Sequence, residues 1–375
     1  MKPLKTLSRC STPFLGMMGI ISLFVIIVIP TCLPAGDFKY ADKPRVFRFP
    51  FDHGNHPAFK TEWWYVTGNL RSAKGRKWGF QTTIFRQGLF RTRAGNKNPW
   101  KAADIYMVNN AISDIRENRF LWFRDIGRAG PGICGAKIGM MDVWMKTSRI
   151  FMSHNDLSLD FRGNTFGFHL TCHPLTPPIL NGKLGLSRKG SLPGQATYYY
   201  SLPALKTKGT LKTPGGQFSV TGISWFDHEF GSSQLAPDQA GWDWVSLHLS
   251  DGSHLMVYRI RRRDGTTDTA SSATFIRPDG SVVHLASGRF LLNPLPGSEG
   301  VVGGVSYPLK WKVKLIPLHL ELTLSPYMKD QAWPGGGAGE IPYWEGAIEA
   351  EGTKGGQRIS GEGYLELTGY GSKWQ

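Results

Sequence analysis

Residues 51–67 read FDHGNHPAFKTEWWYVT. An aspartate, two histidines and a glutamate lie within a few positions of three consecutive aromatics. His53 and His56 have the H-x-x-H spacing, which invites a metal reading because imidazoles and a carboxylate are good zinc ligands. The helical zinc motif, however, needs its histidines at i and i+4 on one face. Gly54 and Pro57 deny this stretch a helix, so the spacing itself organises no ligands, and no metal is expected. From Glu62 onward the residues read as a strand, in which side chains alternate between faces. Glu62, Trp64 and Val66 then share one face, and Trp63, Tyr65 and Thr67 the other. A strand this heavy in aromatics, after a tight turn, is the wall of a β-barrel with its corner.

The rest of the chain fits that reading. Its 375 residues suit two domains. With 46 Gly, 24 Pro, 12% aromatic and 19% charged residues it has the composition of an all-β protein rich in turns. Apolar runs recur at Trp78–Arg86, Asp104–Ser113, Thr165–Thr171, Tyr198–Leu202, Gln217–Trp225, Gly241–Leu249 and Tyr343–Glu351, and hairpin signals stand at Asp251-Gly252 and Asp279-Gly280. Gly132–Lys146 is the one stretch read as a short helix, and the Pro-Gly tracts Asn293–Gly304 and Trp333–Gly339 as long loops. A polar, Pro-containing link at Ser232–Gln239 divides the chain into 44–233 and 240–375. The expected architecture is two antiparallel barrels in tandem, which leave few exposed edges and can enclose a ligand.

Lys and Arg exceed Asp and Glu by 44 − 28 = 16. The charges are dispersed, the longest cluster being Arg259–Arg263, and no nucleic-acid reading module accompanies them, so nucleic acid is not an expected partner. Attraction to an anionic membrane surface is compatible with this balance. Lys2, Lys5 and Arg9 precede an apolar run, Phe14–Ile29, and small residues follow to Gly36. That is the pattern of an export signal, cleaved or retained as an anchor, over residues 1–36, and it places the protein in the periplasm or cell envelope. Beyond it, Cys134 and Cys172 are compatible with one disulfide or with two buried thiols.

Candidate chemistry falls at two places. Glu62, on the same face as Trp64, becomes a proton donor if burial raises its pKa. Asp227-His228 follows Trp225-Phe226, and an Asp and a His suit acid/base work. Adjacent strand residues point to opposite faces, so the two need partners from other strands, and Asp243 is the candidate. The pairing of Asp52-His53 with Glu62-Trp63-Trp64-Tyr65 is echoed by Asp227-His228 with Trp242-Asp243-Trp244, as in a duplicated barrel. The chain has no G-x-S-x-G elbow and no phosphate loop.

The stretches 49–70, 198–211, 220–234, 241–261, 343–352 and 361–370 together resemble the carotenoid 1,2-hydratase (hydroxyneurosporene synthase) superfamily, including its exported AttH-type members. The resemblance implies tandem lipocalin-like barrels with an apolar cavity and no cofactor. It implies catalytic roles for Asp227 and His228, support from Asp243, and Asp52, His53 and Glu62 as the first barrel's counterpart. Trp64, Tyr65, Trp225, Phe230, Trp242 and Trp244 are then the ligand-binding aromatics. Phe230 stands where many relatives have tryptophan. Three functions follow as expectations: an exported protein that binds or processes a lipid or isoprenoid, beside a membrane or an export system; a hydro-lyase adding water to an isoprenoid double bond; and a secreted hydrolase.

Overall fold

A computed structural model describes residues 38–90, 103–232, 235–335 and 342–371. The N-terminal segment 1–36, two residues of the link and residues 336–339 of the second Pro-Gly tract lie outside the described residues. A meander of four strands opens the first sheet: β1 (Thr61–Arg71), β2 (Lys77–Gly88), β3 (Asp104–Asp114) and β4 (Arg119–Arg128). A second arm begins at β5 (Cys134–Ala136), passes through four strands between 142 and 174, and ends in the long pair β6 (Ala196–Thr213) and β7 (Gly216–Gly231). β7 closes on β1 in continuous register from Thr61 opposite Gly231 to Arg71 opposite Thr221.

The second sheet repeats the plan. It starts with β8 (Gln239–Leu249) and β9 (His254–Arg262) and turns at β10 (Val282–Ala286) and β11 (Phe290–Pro294). It finishes with β12 (Tyr343–Lys354) and β13 (Gln357–Leu367), the last closing on β8. In both sheets the first strand pairs with the last, and the open seam falls between consecutive strands, β4/β5 and β10/β11. The protein is thus nearly all-β, two nearly closed antiparallel barrels of the lipocalin-like kind. Hairpins form where the sequence supplies a backbone able to adopt positive φ: Gly252 (φ 80) and Gly280 (φ 82) complete turns whose Asp251 and Asp279 carboxylates accept the backbone N–H of Ser253 and Ser281.

Two sequence expectations are corrected. Residues 132–146 form no helix but the short strands Cys134–Ala136 and Asp142–Met145, because Gly130, Pro131, Gly132, Gly135 and Gly139 break any helical run. Half of the tract 293–304 is strand: it holds the end of β11 and Glu299–Val302, which forms a ribbon with Val305–Pro308 through Gly303-Gly304, both at positive φ. Cys134 and Cys172 are buried and unbridged.

Each barrel has its own core, and a third cluster lies between them. Alternation on β1 accounts for this. Trp64 and Val66 point into the first barrel, whereas Tyr65 points outward and is still buried, against Trp244 of the second barrel with ring centroids 5.2 Å apart. Polar ties across the same junction include Asn109 Nδ2 to Tyr343 Oη (2.8 Å), Ser113 Oγ to Gln331 Oε1 (2.6 Å) and Asn69 Nδ2 to the Gly363 carbonyl (3.1 Å). The outer wall of the first barrel is therefore an interior surface of the whole protein.

Candidate active site

β7 decides where chemistry can sit, since its residues alternate between two buried environments. Phe226, His228 and Phe230 face inward, toward the turn 51–56 that covers the barrel end. There Glu62 sits at the centre of a closed network. Its Oε1 accepts from His56 Nδ1 (2.7 Å) and His228 Nε2 (2.9 Å), and its Oε2 from Arg86 Nε (3.2 Å). The His56 backbone N–H reaches both oxygens. Asp52 accepts from His56 Nε2 (3.0 Å), Arg45 Nη2 (2.6 Å) and the Arg48 backbone. Arg86 also binds Asp104 and the carbonyls of His56 and Phe59.

The partners fix the protons. Both nitrogens of His56 face carboxylates, so both donate and the ring is a cation. Burial alone would lower its pKa, but Glu62 and Asp52 outweigh burial and raise it. With the His228 ring neutral, its Nε2 donates to Glu62 and its Nδ1 accepts from the Tyr200 hydroxyl (3.1 Å), which in turn accepts from His53 Nδ1 (2.6 Å). His228 and His53 are neutral, each lowered chiefly by burial, His53 to about 3. Burial opposes the ionisation of Glu62, yet His56, His228 and Arg86 hold it well below the usual carboxylate range. Phe230 lies flat on His56 (3.6 Å between centroids) and Trp64 stacks on His228. The ligand atoms of His56, Glu62 and His228 lie within 4.8 Å of one another, a set that could take a metal ion. A dication would have to displace the His56 proton and would meet Arg86 beside Glu62, so the charges are already balanced without one.

The other face of β7 is different. Asp227 looks toward the second barrel and receives neutral donors: Ser201 Oγ (2.5 Å), Tyr199 Oη (2.6 Å) and Trp225 Nε1 (2.7 Å). Burial raises its carboxyl to about 7 despite them. Across the junction Glu345 on β12 and Glu366 on β13 are cross-strand partners. Trp242 Nε1 donates to Glu366 (3.0 Å), whose carboxyl is pushed up to about 7, mainly by burial. Glu345 is pushed well above its usual range by burial and by Glu366, and its Oε1 and the Tyr65 hydroxyl are buried facing each other without a well-formed hydrogen bond. Glu229, one pair along from Asp227, binds Thr197 and Lys189 Nζ (2.8 Å). The junction thus gathers acids able to hold protons near neutral pH, walled by Tyr65, Tyr199, Trp242 and Trp244.

These two environments divide the expected site residues. Asp52, His53, Glu62, His228, Trp64 and Phe230 belong to the closed network; Asp227, Tyr65, Trp225, Trp242 and Trp244 belong to the junction. Asp243 joins neither. It points away from Trp242 and Trp244, into an ion-pair group with Arg259, Arg261 and Tyr370, and does not touch Asp227. The apparent duplication is also corrected: Asp52-His53 precedes β1, whereas Asp227-His228 lies on β7 opposite Tyr65 and Trp64, so the two pairs are parts of one barrel end and not equivalents in two barrels. Sequence reading passed over Glu345 and Glu366. A signal existed in YWEGAIEAEG and GEGYLELTGY, each placing a glutamate among aromatic and aliphatic residues of a strand, but their pairing appears only with the β12/β13 register.

A protein of two lipocalin-like barrels with a buried acid cluster between them is the class so defined. The AttH-like family model matches residues 40–370, and the chain belongs to that family. It is similar to an AttH protein from Nitrosomonas europaea (30% identity, TM-score 0.78, covering 89% of this chain and all of that one). It also shares its fold with kievitone hydratase from Nectria haematococca (19% identity, TM-score 0.67, covering 89% of this chain and 98% of that one). Dehydratase asqC of Emericella nidulans is 23% identical over 285 residues, 70% of this chain and 76% of that protein.

Proposed function

We propose that the protein is a hydro-lyase-like enzyme, exported to the cell envelope, that adds water to or removes it from a neutral apolar small molecule of lipid or isoprenoid type. The observation that carries the reading is the cluster of proton-holding acids, Asp227, Glu345 and Glu366, among aromatic walls at the barrel junction. Hydration of an alkene needs a proton delivered to one carbon, water attacking the cation at the other, and the surplus proton returned to a carboxylate. Carboxyls near 7 serve both transfers, each typically contributing about 10²–10⁴ in rate. Indole and phenol faces favour the cationic intermediate. Lys189, the cation beside these acids, is already paired with Glu229, so an anionic substrate is disfavoured. The hydratase and the dehydratase among the similar proteins support the reaction class, and the N-terminal basic and apolar pattern supports export.

The test is isotopic. Purified protein is incubated in H₂¹⁸O with a panel of neutral isoprenoid alkenes and tertiary alcohols, and label uptake is followed by mass spectrometry. Uptake that disappears in Glu366→Gln and Asp227→Asn but persists in Tyr200→Phe supports the reading. Binding without turnover would make the protein a carrier, and turnover indifferent to both acid variants would remove the junction as the site.

A further inference from the structure

The end of the first barrel at which the chain enters carries a surface that the junction chemistry does not use. Thr61, Gln87, Ile105, Arg128 and Gly231 are in register at this rim. The turn 49–56 and the loop 137–140 lie over it, joined by the Asn55 N–H to the Lys137 carbonyl (2.8 Å). Gly54 passes so close that an added Cβ would lie 2.5 Å from the Gly139 nitrogen. Beneath, Asp52, His53 and His56 lock the turn into the network described above. Above, the same segments turn large apolar side chains to the outside: Phe51 is 53% exposed, Ile138 61% and Met140 48%, with Phe49 beside them. Leu89 and Phe90, where β2 ends at this rim, are exposed as well. Apolar tips held outward by a buried ion network cannot fold back to cover themselves, and contiguous surfaces of this kind mark interaction sites.

The surrounding charge indicates what covers them. Between residues 38 and 60 there are five lysines and arginines against two aspartates, Asp52 being buried; Lys39, Lys43 and Arg48 are exposed, as is Lys137, whose Nζ also pairs with Asp142 (2.8 Å). The chain enters this same rim, where the Lys39 N–H binds the Ala58 carbonyl and Ser232 Oγ binds the Lys39 carbonyl. In sequence, the residues before it include the apolar run Phe14–Ile29. We propose that this rim rests on an anionic lipid bilayer, with Phe51, Ile138 and Met140 in the interfacial layer and Lys39, Lys43, Arg48 and Lys137 against acidic headgroups. Basic side chains near such a surface are drawn to its negative potential, and apolar tips add to this as their area enters the boundary. The inference stands on this surface alone and is independent of the junction chemistry.

The experiment uses the full chain on vesicles of phosphatidylglycerol and phosphatidylcholine, with a fluorophore on Ile138→Cys and, separately, on Lys74→Cys in the turn at the other end of β1. Quenching is read from nitroxide placed on the lipid chains. Several-fold stronger quenching at 138 than at 74, weakened in phosphatidylcholine alone or in about 1 M salt, is expected. Equal quenching at both positions, or stronger quenching at 74, overturns the proposal even where the N-terminal segment holds the protein on the vesicle. The same labelled protein with Lys43→Glu and Arg48→Glu keeps its circular dichroism and loses most of the difference between the two positions.

Discussion

Asp227 and His228 are neighbours on one strand, both buried, and they inhabit opposite kinds of environment. On the His228 side, cations face the carboxylates: Arg86 and His56 at Glu62, Arg45 and His56 at Asp52. Protons there have one consistent arrangement, and the aromatic rings pack flat on the imidazoles. On the Asp227 side, two glutamates are paired across strands, Asp227 is met by neutral donors, and a carboxylate oxygen and a phenol are buried against each other without a well-formed hydrogen bond. The first arrangement closes a barrel; the second stores the capacity to move a proton. Satisfied buried charge is structure, and under-compensated buried charge in a junction is where function is to be sought.

The comparison breaks most readily at Glu62. Glu62→Ala leaves Arg86, His56 and His228 facing one another without their carboxylate, and should cost about 3–5 kcal/mol in chemical denaturation. Wild-type stability in that variant would end the structural reading of the network. The opposite behaviour is expected of Asp227. Its folded value of about 7 lies above its usual value near 3.8. The neutral carboxyl's contribution is therefore complete below pH 4 and lost as pH rises through 7. Above pH 7 the buried charge costs a few kcal/mol. Asp227→Asn removes that dependence, so the variant gains on the wild type between pH 4 and pH 8. Denaturation midpoints at the two pH values that show the same difference would place Asp227 among the satisfied groups.

Much of the fold was legible because its causes are local. Alternation in EWWYVTG gave the two faces of β1, and Asp-Gly pairs gave the hairpins. The helix expected over 132–146 does not form because Gly132, Gly135 and Gly139 interrupt it and Gly130-Pro131 precedes it. In the site, Glu62, His228 and Asp227 stood out by residue type, but nothing local says that His228 reaches Glu62 across 166 residues of chain; the β1/β7 register does. Asp243 misled for the converse reason. It lies between two tryptophans in sequence, and the strand turns it to the other face. Glu345 and Glu366 are chemically significant through being opposite each other, a relation that exists only once β12 and β13 are paired.

The finest distinction lies in two hydroxyls, those of Tyr65 and Tyr200. Tyr200 bridges His53 and His228, so Tyr200→Phe leaves the ring nitrogens of two buried histidines without their partner and should destabilise by about 1–3 kcal/mol. Tyr65 presents its hydroxyl to Glu345 in the junction without a well-formed hydrogen bond, and burial keeps it neutral, well above the usual phenol range. Tyr65→Phe therefore removes a poorly satisfied group and should leave thermal stability unchanged or raise it by up to about 1 kcal/mol. If the hydroxyl is held for substrate, turnover in the ¹⁸O assay falls in the same variant. Stability rising while turnover falls is the behaviour of a group retained for activity at the expense of the fold. A loss of stability at Tyr65 comparable to that at Tyr200 would mean that the hydroxyl is as fully engaged as the network on the other side of the strand, and the contrast between the two faces would narrow to the carboxylates alone.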